Sequence, residues 1–405
     1  MKICIFTHTF PRFRGDSAAP FMGNLARALG QMGHQVYVLV PFDPKIDLKS
    51  VKDYKIVTYK YIFPTGFHIL GYSRTFKQNK QLTLATYLIA PLMYLFGFIA
   101  LLRLVKKTDI DIVSAHWMIP GGLIARGVKA LNKTPYVVTI PGADVYMGSR
   151  NRVFKEMVGV AALGADYVIS DSAHYINQLK ALGFHPKNIN IIRYGVDTKA
   201  FIPTGKNIGI LKDLGLKGSD QIILSVGRME AKKGFIYLVR AFKQTLAVKP
   251  RTKLVFVGDG YEKARLEKEV KSLKLERNVI FVGSISYDKL NDYYNLADVF
   301  VMPSIQDKEG NTDASPVALM EAMSCGVRVG ATKYSGSTEF LNGRTGFLVK
   351  EKTSLQIAQA IVKLLSNKEP RFMVQKEVRK MAEKNFSLQI ISKKYIEIFR
   401  QVLSV

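Results

Sequence analysis

The sequence predicts an α/β protein built from two doubly wound, Rossmann-like domains facing across a cleft. Three observations carry that prediction. The chain has 405 residues, 48% of them hydrophobic, which is more than one ordinary core needs and far from the composition of a disordered chain. Short apolar runs alternate with stretches of helical period along its whole length. The alternation starts afresh in the middle, after the segment 196–217 with Pro203, Gly205 and Gly209.

The opening run KICIF leads into the polar loop PRFRGDSAAP, and Phe21, Leu25, Leu29 and Met32 then recur at helical spacing. VYVLVP follows as a second buried strand, giving the strand, loop, helix, strand order that begins a parallel sheet. Further strands are expected at DIVSAH, YVVTI, DYVISD and NIIRYG. The second cycle runs through QIILSVG, KLVFVGDG, NVIFVGS, DVFVMPS, RVGATK and GFLVK.

Between the second and third of these runs lie residues 82–102, mostly apolar and long enough to span a bilayer at ~1.5 Å per residue. Three readings fit: a buried helix, a helix that also touches a membrane interface, and a true span. A span is disfavoured because KICIF, VYVLV and DIVSAH should share one sheet, and Pro91 and Gly97 weaken the segment. Lys77, Lys80, Arg103, Lys106 and Lys107 flank it, as suits anionic head groups.

Cys4 and Cys325 lie far apart in apolar surroundings, giving neither metal-ligand spacing nor a disulfide framework, so a reducing, cytoplasmic compartment is expected. The N-terminus shows no signal-peptide pattern. The net charge of +27 is spread over both halves of the chain, which argues against a nucleic-acid-binding arm. It fits a generally basic, soluble surface, an anionic membrane surface, or anionic substrates.

The segment DASPVALMEAMSCG carries the most chemistry. Ser315 is expected to cap a helix, with Pro316 in its first turn, Glu321 on its second turn and Asp313 just before its N-terminus. Free N–H groups there attract phosphate or sugar oxygens, and a neighbouring carboxylate can hold sugar hydroxyls. Alone, the segment is equally a capped helix with acidic residues. In SVGRMEAKKGFIYLVRAF a strand ends in Gly227 and Arg228, with Lys233 ahead of an amphipathic helix, where a doubly wound sheet would hold a diphosphate. Gly258 and Gly260 in VGDG mark another glycine-rich strand end.

With these residues in view, the sequence resembles the family 4 retaining glycosyltransferases of GT-B fold over essentially its whole length. GRMEAKKGFIYLVRAF looks like that family's Arg-and-Lys diphosphate element, which implies catalytic roles for Arg228 and Lys233. DASPVALMEAMSCG looks like its Glu-x7-Glu element, with Glu321 as the ribose contact. Asp313 stands where the family has glutamate, and one missing methylene shortens its reach by about 1.5 Å. The implied donor contacts are Gly15, Gly227, Gly258, Gly260, Ser315, Pro316, Val317 and Glu321, with Asp313 positioning the sugar. Acceptor-side candidates are His8, Arg12, His116 and Asp144; Pro141 occupies the place of a histidine common in relatives, whose role His116 could take over. YGVDTKAF resembles the family's Asn-Gly-Val-Asp entry to the second domain, with Tyr194 for asparagine.

The resemblance implies a first domain over 1–195 with a returning helix at 386–405, and a nucleotide-sugar domain over 196–385. It implies transfer of a sugar from a nucleotide-diphosphate sugar to a lipid-linked or saccharide acceptor, with the anomeric configuration kept, in cell-surface glycan or glycolipid synthesis. No Asp-x-Asp element at a strand end calls for a divalent ion, and no cofactor beyond the donor is expected. The expected place of work is the cytoplasmic face of an anionic membrane. A nucleotide-binding oxidoreductase would need G-x-G-x-x-G, which the single glycine of THTFPRFRGD and the Lys263 after Gly258 and Gly260 do not supply. A non-catalytic basic membrane- or nucleic-acid-binding protein would not need Arg228, Lys233, Asp313 and Glu321 in this order.

Overall fold

Among the described residues seven parallel strands form the first sheet and six the second, and each sheet reverses its winding direction once. The computed structural model describes residues 1–48, 51–72, 83–308, 310–313, 315–333, 341, 343–367 and 369–404. The chain divides into two units, Met1–Gly195 with Leu388–Val405, and Val196–Ser387.

In chain order the first unit contains β1 (Lys2–Phe6), α1 (Pro20–Gln31), β2 (Gln35–Pro41), β3 (Lys55–Tyr59), α2 (Thr83–Thr108), β4 (Ile112–His116), α3 (Leu123–Asn132) and β5 (Tyr136–Ile140). It continues with α4 (Ala143–Gly148), α5 (Arg152–Gly164), β6 (Tyr167–Ser170), α6 (Ala173–Ala181) and β7 (Ile189–Ile191). The sheet order is β3-β2-β1-β4-β5-β6-β7. Its central strands are buried on both faces, so every residue of IVSAH and YVVTI is buried, Ser114, His116 and Thr139 included, and neither alternates between core and solvent. β3 escapes that sequence signal because KIVTY is a half-buried edge strand, paired only with β2.

The second unit contains α7 (Ile208–Asp213), β8 (Gln221–Val226), α8 (Phe235–Val248), β9 (Thr252–Val257), α9 (Lys263–Ser272), β10 (Val279–Gly283) and α10 (Leu290–Leu296). After these come β11 (Val299–Met302), α11 (Val317–Ser324), β12 (Arg328–Thr332), β13 (Gly346–Val349), α12 (Ser354–Leu365) and α13 (Arg371–Phe386). The order β10-β9-β8-β11-β12-β13 repeats the winding of the first sheet. Its core includes Leu224, Phe242, Phe256, Phe300 and Met320. The chain then returns to the first unit as α14 (Leu388–Leu403), whose Tyr395 is buried with its hydroxyl 3.4 Å from Thr139 Oγ1.

The apolar run that allowed three readings is α2, with Leu82, Lys77 and Lys80 outside the described residues. It packs on β1, β2, β3 and α3 through one face, burying Ile89, Met93, Leu101 and Val105. A span would have to free that face from the sheet. A wholly buried helix is also contradicted, since only 33% of its most apolar window is buried and Tyr87, Leu88, Leu92, Leu95 and Phe96 face outward. The helix is thus apolar on both faces, although among the described residues its neighbours cover only one of them.

Candidate active site

A doubly wound sheet opens a crevice at the carboxyl ends of its strands where the winding reverses. In the second unit that point lies between β8 and β11, and the residues following these strands are those the sequence singles out. Past β8, Gly227 and Arg228 lead into a short turn carrying Lys233, which donates to Asp313 Oδ2 over 2.6 Å. Ser304, past β11, lies 3.5 Å from the same oxygen. Burial alone would push the Asp313 carboxyl up, but Lys233 and Lys232 beside it hold it below the usual carboxylate range. It is therefore ionised and already paired.

Arg228 bonds Glu230 Oε1 at 2.9 Å while remaining 61% exposed, so its guanidinium is within easy reach of an incoming anion. Lys232 was not singled out from the sequence. Burial lowers its pKa while Asp313 and Glu230 favour its charge, making it a third cation of the cluster. The adjacent lysines of AKKG were the signal for it.

α11 begins at Val317, with Pro316 at the capping position and no side-chain cap. The expected Ser315 cap is thus corrected: Pro316 lies outside the helix, and the Ser315 hydroxyl is buried without a partner among the described residues. An uncapped helix start beside an unpaired hydroxyl leaves donors available for oxygen ligands. Glu321, one turn on, is buried and accepts from the Tyr294 hydroxyl at 2.7 Å. Burial pushes its carboxyl up to about 7, against the opposing pull of Tyr294, Tyr287 and Lys233.

Gly258 and Gly260 serve a close backbone crossing. A Cβ at Gly258 would lie 2.1 Å from the Gly227 carbonyl oxygen, and one at Gly260 would lie 2.4 Å from that of Met229. They brace the turn that carries Arg228, and Met229 N–H bonds the Asp259 carbonyl across it.

In the first unit the winding reverses between β1 and β4, where His8 and His116 lie. Gly15 follows in the loop after β1 at φ +85°, a conformation that favours glycine. His116 is corrected as an acceptor-side candidate. It is wholly buried, with Nδ1 at 3.1 Å from the Tyr194 hydroxyl and Nε2 at 3.3 Å from Ser114 Oγ, and burial pushes its pKa down to about 3. That contact also explains Tyr194, whose ring packs on Phe21.

Arg12 is held by Asp16 through Nε at 2.7 Å and Nη2 at 3.1 Å, with Asp43 at 3.9 Å and the Tyr72 ring beneath it. It clamps its own loop. Asp144, an acceptor-side candidate, is 1% exposed and accepts the Met118 N–H. His8, unlike His116, keeps a ring nitrogen, Nδ1, without a partner among the described residues. Among the described residues no three His, Cys, Asp or Glu side chains group as metal ligands do.

Two family models match the chain: Glycosyltransferase Family 4 over residues 18–200 and Glycosyl transferases group 1 over residues 209–381. TuaC of Bacillus subtilis (strain 168), whose name assigns it to teichuronic acid biosynthesis as a glycosyltransferase, is 28% identical over 273 residues, 65% of this chain and 64% of TuaC. The GDP-mannose-dependent monoacylated alpha-(1-6)-phosphatidylinositol monomannoside mannosyltransferase of Corynebacterium glutamicum is 25% identical over 310 residues, 74% of this chain and 79% of that enzyme. Among solved structures, sucrose-phosphate synthase from Thermosynechococcus elongatus superposes with a TM-score of 0.80 at 21% identity, covering 100% of this chain and 99% of that one.

Proposed function

The chain belongs to the family 4 glycosyltransferases of GT-B fold, and from that premise we propose that it is a retaining, metal-independent enzyme using a nucleotide-diphosphate sugar. The acceptor in this reading is a lipid-linked or saccharide glycan of the cell surface, in keeping with the relatives' names. The observation that carries the proposal is the Lys233–Asp313 pair at the β8 carboxyl end, directly ahead of the uncapped start of α11.

The division of labour follows from charge. The diphosphate takes its place among Lys233, Arg228 and Lys232, and Asp313 turns to the hydroxyls of the sugar. As the C1–O bond to the diphosphate breaks, negative charge grows on the departing oxygen, which the cations stabilise. The acceptor oxygen joins C1 on the same face, and its proton passes to the departing phosphate oxygen. Pre-placed cations thus supply the electrophilic help a divalent ion would give, and no cofactor is called for.

The outward apolar face of α2, with exposed Arg103, Lys106 and Lys107 at its end, supports peripheral attachment to an anionic membrane surface. Buried, unpaired Cys4 and Cys325 accord with the reducing cytoplasmic side. Proton NMR of the first-formed product tests the mechanism. The anomeric configuration of the donor should be kept, and an inverted product would overturn the retaining assignment. Turnover should survive EDTA, and a requirement restored only by Mg²⁺ or Mn²⁺ would overturn metal independence.

A further inference from the structure

We propose that Trp117 is the platform on which a saccharide unit of the acceptor stacks, held in position by Asp144. The proposal rests on the glycosyltransferase reading and adds a residue to it. Trp117 is the only tryptophan in the chain. It is only partly buried, and it lies immediately past β4, at the winding reversal of the first sheet. Ligands of doubly wound sheets bind at that point.

Its backbone is out of the ordinary. Trp117 has φ +66°, a left-handed conformation that a bulky L-residue adopts only where its surroundings enforce it. The enforcing contacts are visible. Asp144, from the first turn of α4, accepts the next residue's N–H, that of Met118, and Met118 is itself wholly buried. Gly121 then brings the loop back so closely that a Cβ there would lie 2.5 Å from the His116 carbonyl oxygen. A strained turn fixed from both sides aims one side chain, and that side chain is an indole.

The indole meets the edge of His8, from the end of β1, with ring centroids 4.5 Å apart and planes inclined at 60°. His8 Nδ1 lacks a partner among the described residues, and its ring lies against the Trp117 indole. Unsatisfied polar atoms in a native structure call for a ligand or an ordered water. Burial keeps His8 neutral, pushing its pKa down to about 4, so the surroundings of the ring offer hydrogen bonding without positive charge. An aromatic face beside a neutral imidazole suits the C–H face and hydroxyls of a sugar better than a phosphate. Asp144 is then a positioning residue.

The lone tryptophan makes its own reporter. Intrinsic fluorescence of the whole enzyme should respond saturably to at least one neutral sugar in a panel of glucose, galactose, mannose, N-acetylglucosamine and their disaccharides. That sugar should also shield the indole from acrylamide, and UDP and GDP should do neither. No response to any sugar in the panel, or a response to the nucleotides alone, would overturn the proposal. With the responding sugar as acceptor, Trp117→Ala should raise its KM about tenfold while donor hydrolysis persists, and Trp117→Phe should restore most of the affinity. Asp144→Asn should shift the emission maximum of the unliganded protein as the turn loosens. Unchanged acceptor KM in a folded Trp117→Ala enzyme defeats the platform alone, whereas absence of transfer from any nucleotide sugar in the parent defeats the glycosyltransferase reading beneath it.

Discussion

At the scale of single residues, the proposed donor site is an arrangement of charges that are already paired with one another. Lys233 is bound to Asp313 and Arg228 to Glu230 before any donor arrives. Replacing Lys233 by alanine should lower turnover by roughly 10²-fold, the usual loss when one group stabilising a developing anion is removed. Circular dichroism should show the variant folded, because Lys232 still faces the Asp313 carboxylate. Near-normal turnover would remove the diphosphate role. Glu321 gives a separate signature in pH. Its folded pKa, about 7, lies above the ordinary 4.5, so its protonated form favours the fold and that contribution is lost as pH rises from 4.5 through 7. A ribose donating hydroxyl hydrogens prefers the ionised carboxylate, so donor affinity should strengthen as pH rises through 7. Calorimetric titration of the nucleotide between pH 5.5 and 8, on the order of one unit either side of that value, should show this slope in the parent and lose it in Glu321→Gln.

Among the elements, α2 shows how one helix serves two environments. Its inner face, with Met93, Leu101 and Val105, is fixed by packing on the sheet, while Leu88, Leu92, Leu95 and Phe96 have no such reason to be apolar. An ordinary surface helix carries polar residues on its outer face. Changing Leu88, Leu92 and Leu95 to glutamine should therefore leave thermal stability within about 1 kcal/mol of the parent, as for exposed positions elsewhere, and should reduce vesicle binding. A large loss of stability would place that face inside the fold. The element is legible in the sequence as a long apolar run, but its two faces are not, because the run is apolar all round and carries no amphipathic period.

For the molecule as a whole, the proposed membrane attachment draws on the net charge of +27. Each cation near an anionic leaflet adds about 1 kcal/mol, and salt weakens this by shortening the Debye length. The protein should float with anionic vesicles at low salt, bind neutral ones poorly, and be released by high salt without detergent. Replacing Arg103, Lys106 and Lys107 by glutamine should weaken flotation and leave donor hydrolysis intact, because Lys233, Asp313 and Glu321 belong to the other unit. Flotation unchanged by salt would mean that apolar insertion, rather than charge, holds the protein.

By itself the sequence determined the two parallel sheets and the candidates for the proposed donor site, because both are written locally. Strand runs buried on both faces are mostly apolar and lack a polar alternation, and Arg228, Lys233, Asp313 and Glu321 lie in two short segments. Tertiary structure decided the partners. His116, at a strand end, looked available until Tyr194, 78 residues later, proved to hold its Nδ1. Asp144 looked like a cleft carboxylate and is instead the acceptor for an N–H 26 residues earlier. Ser315 has the chemistry of a cap but not the position, since Pro316 occupies the helix boundary. A hydrogen bond across the fold leaves no periodicity in the chain, and which of several polar residues is buried depends on what the other strands bring beside it.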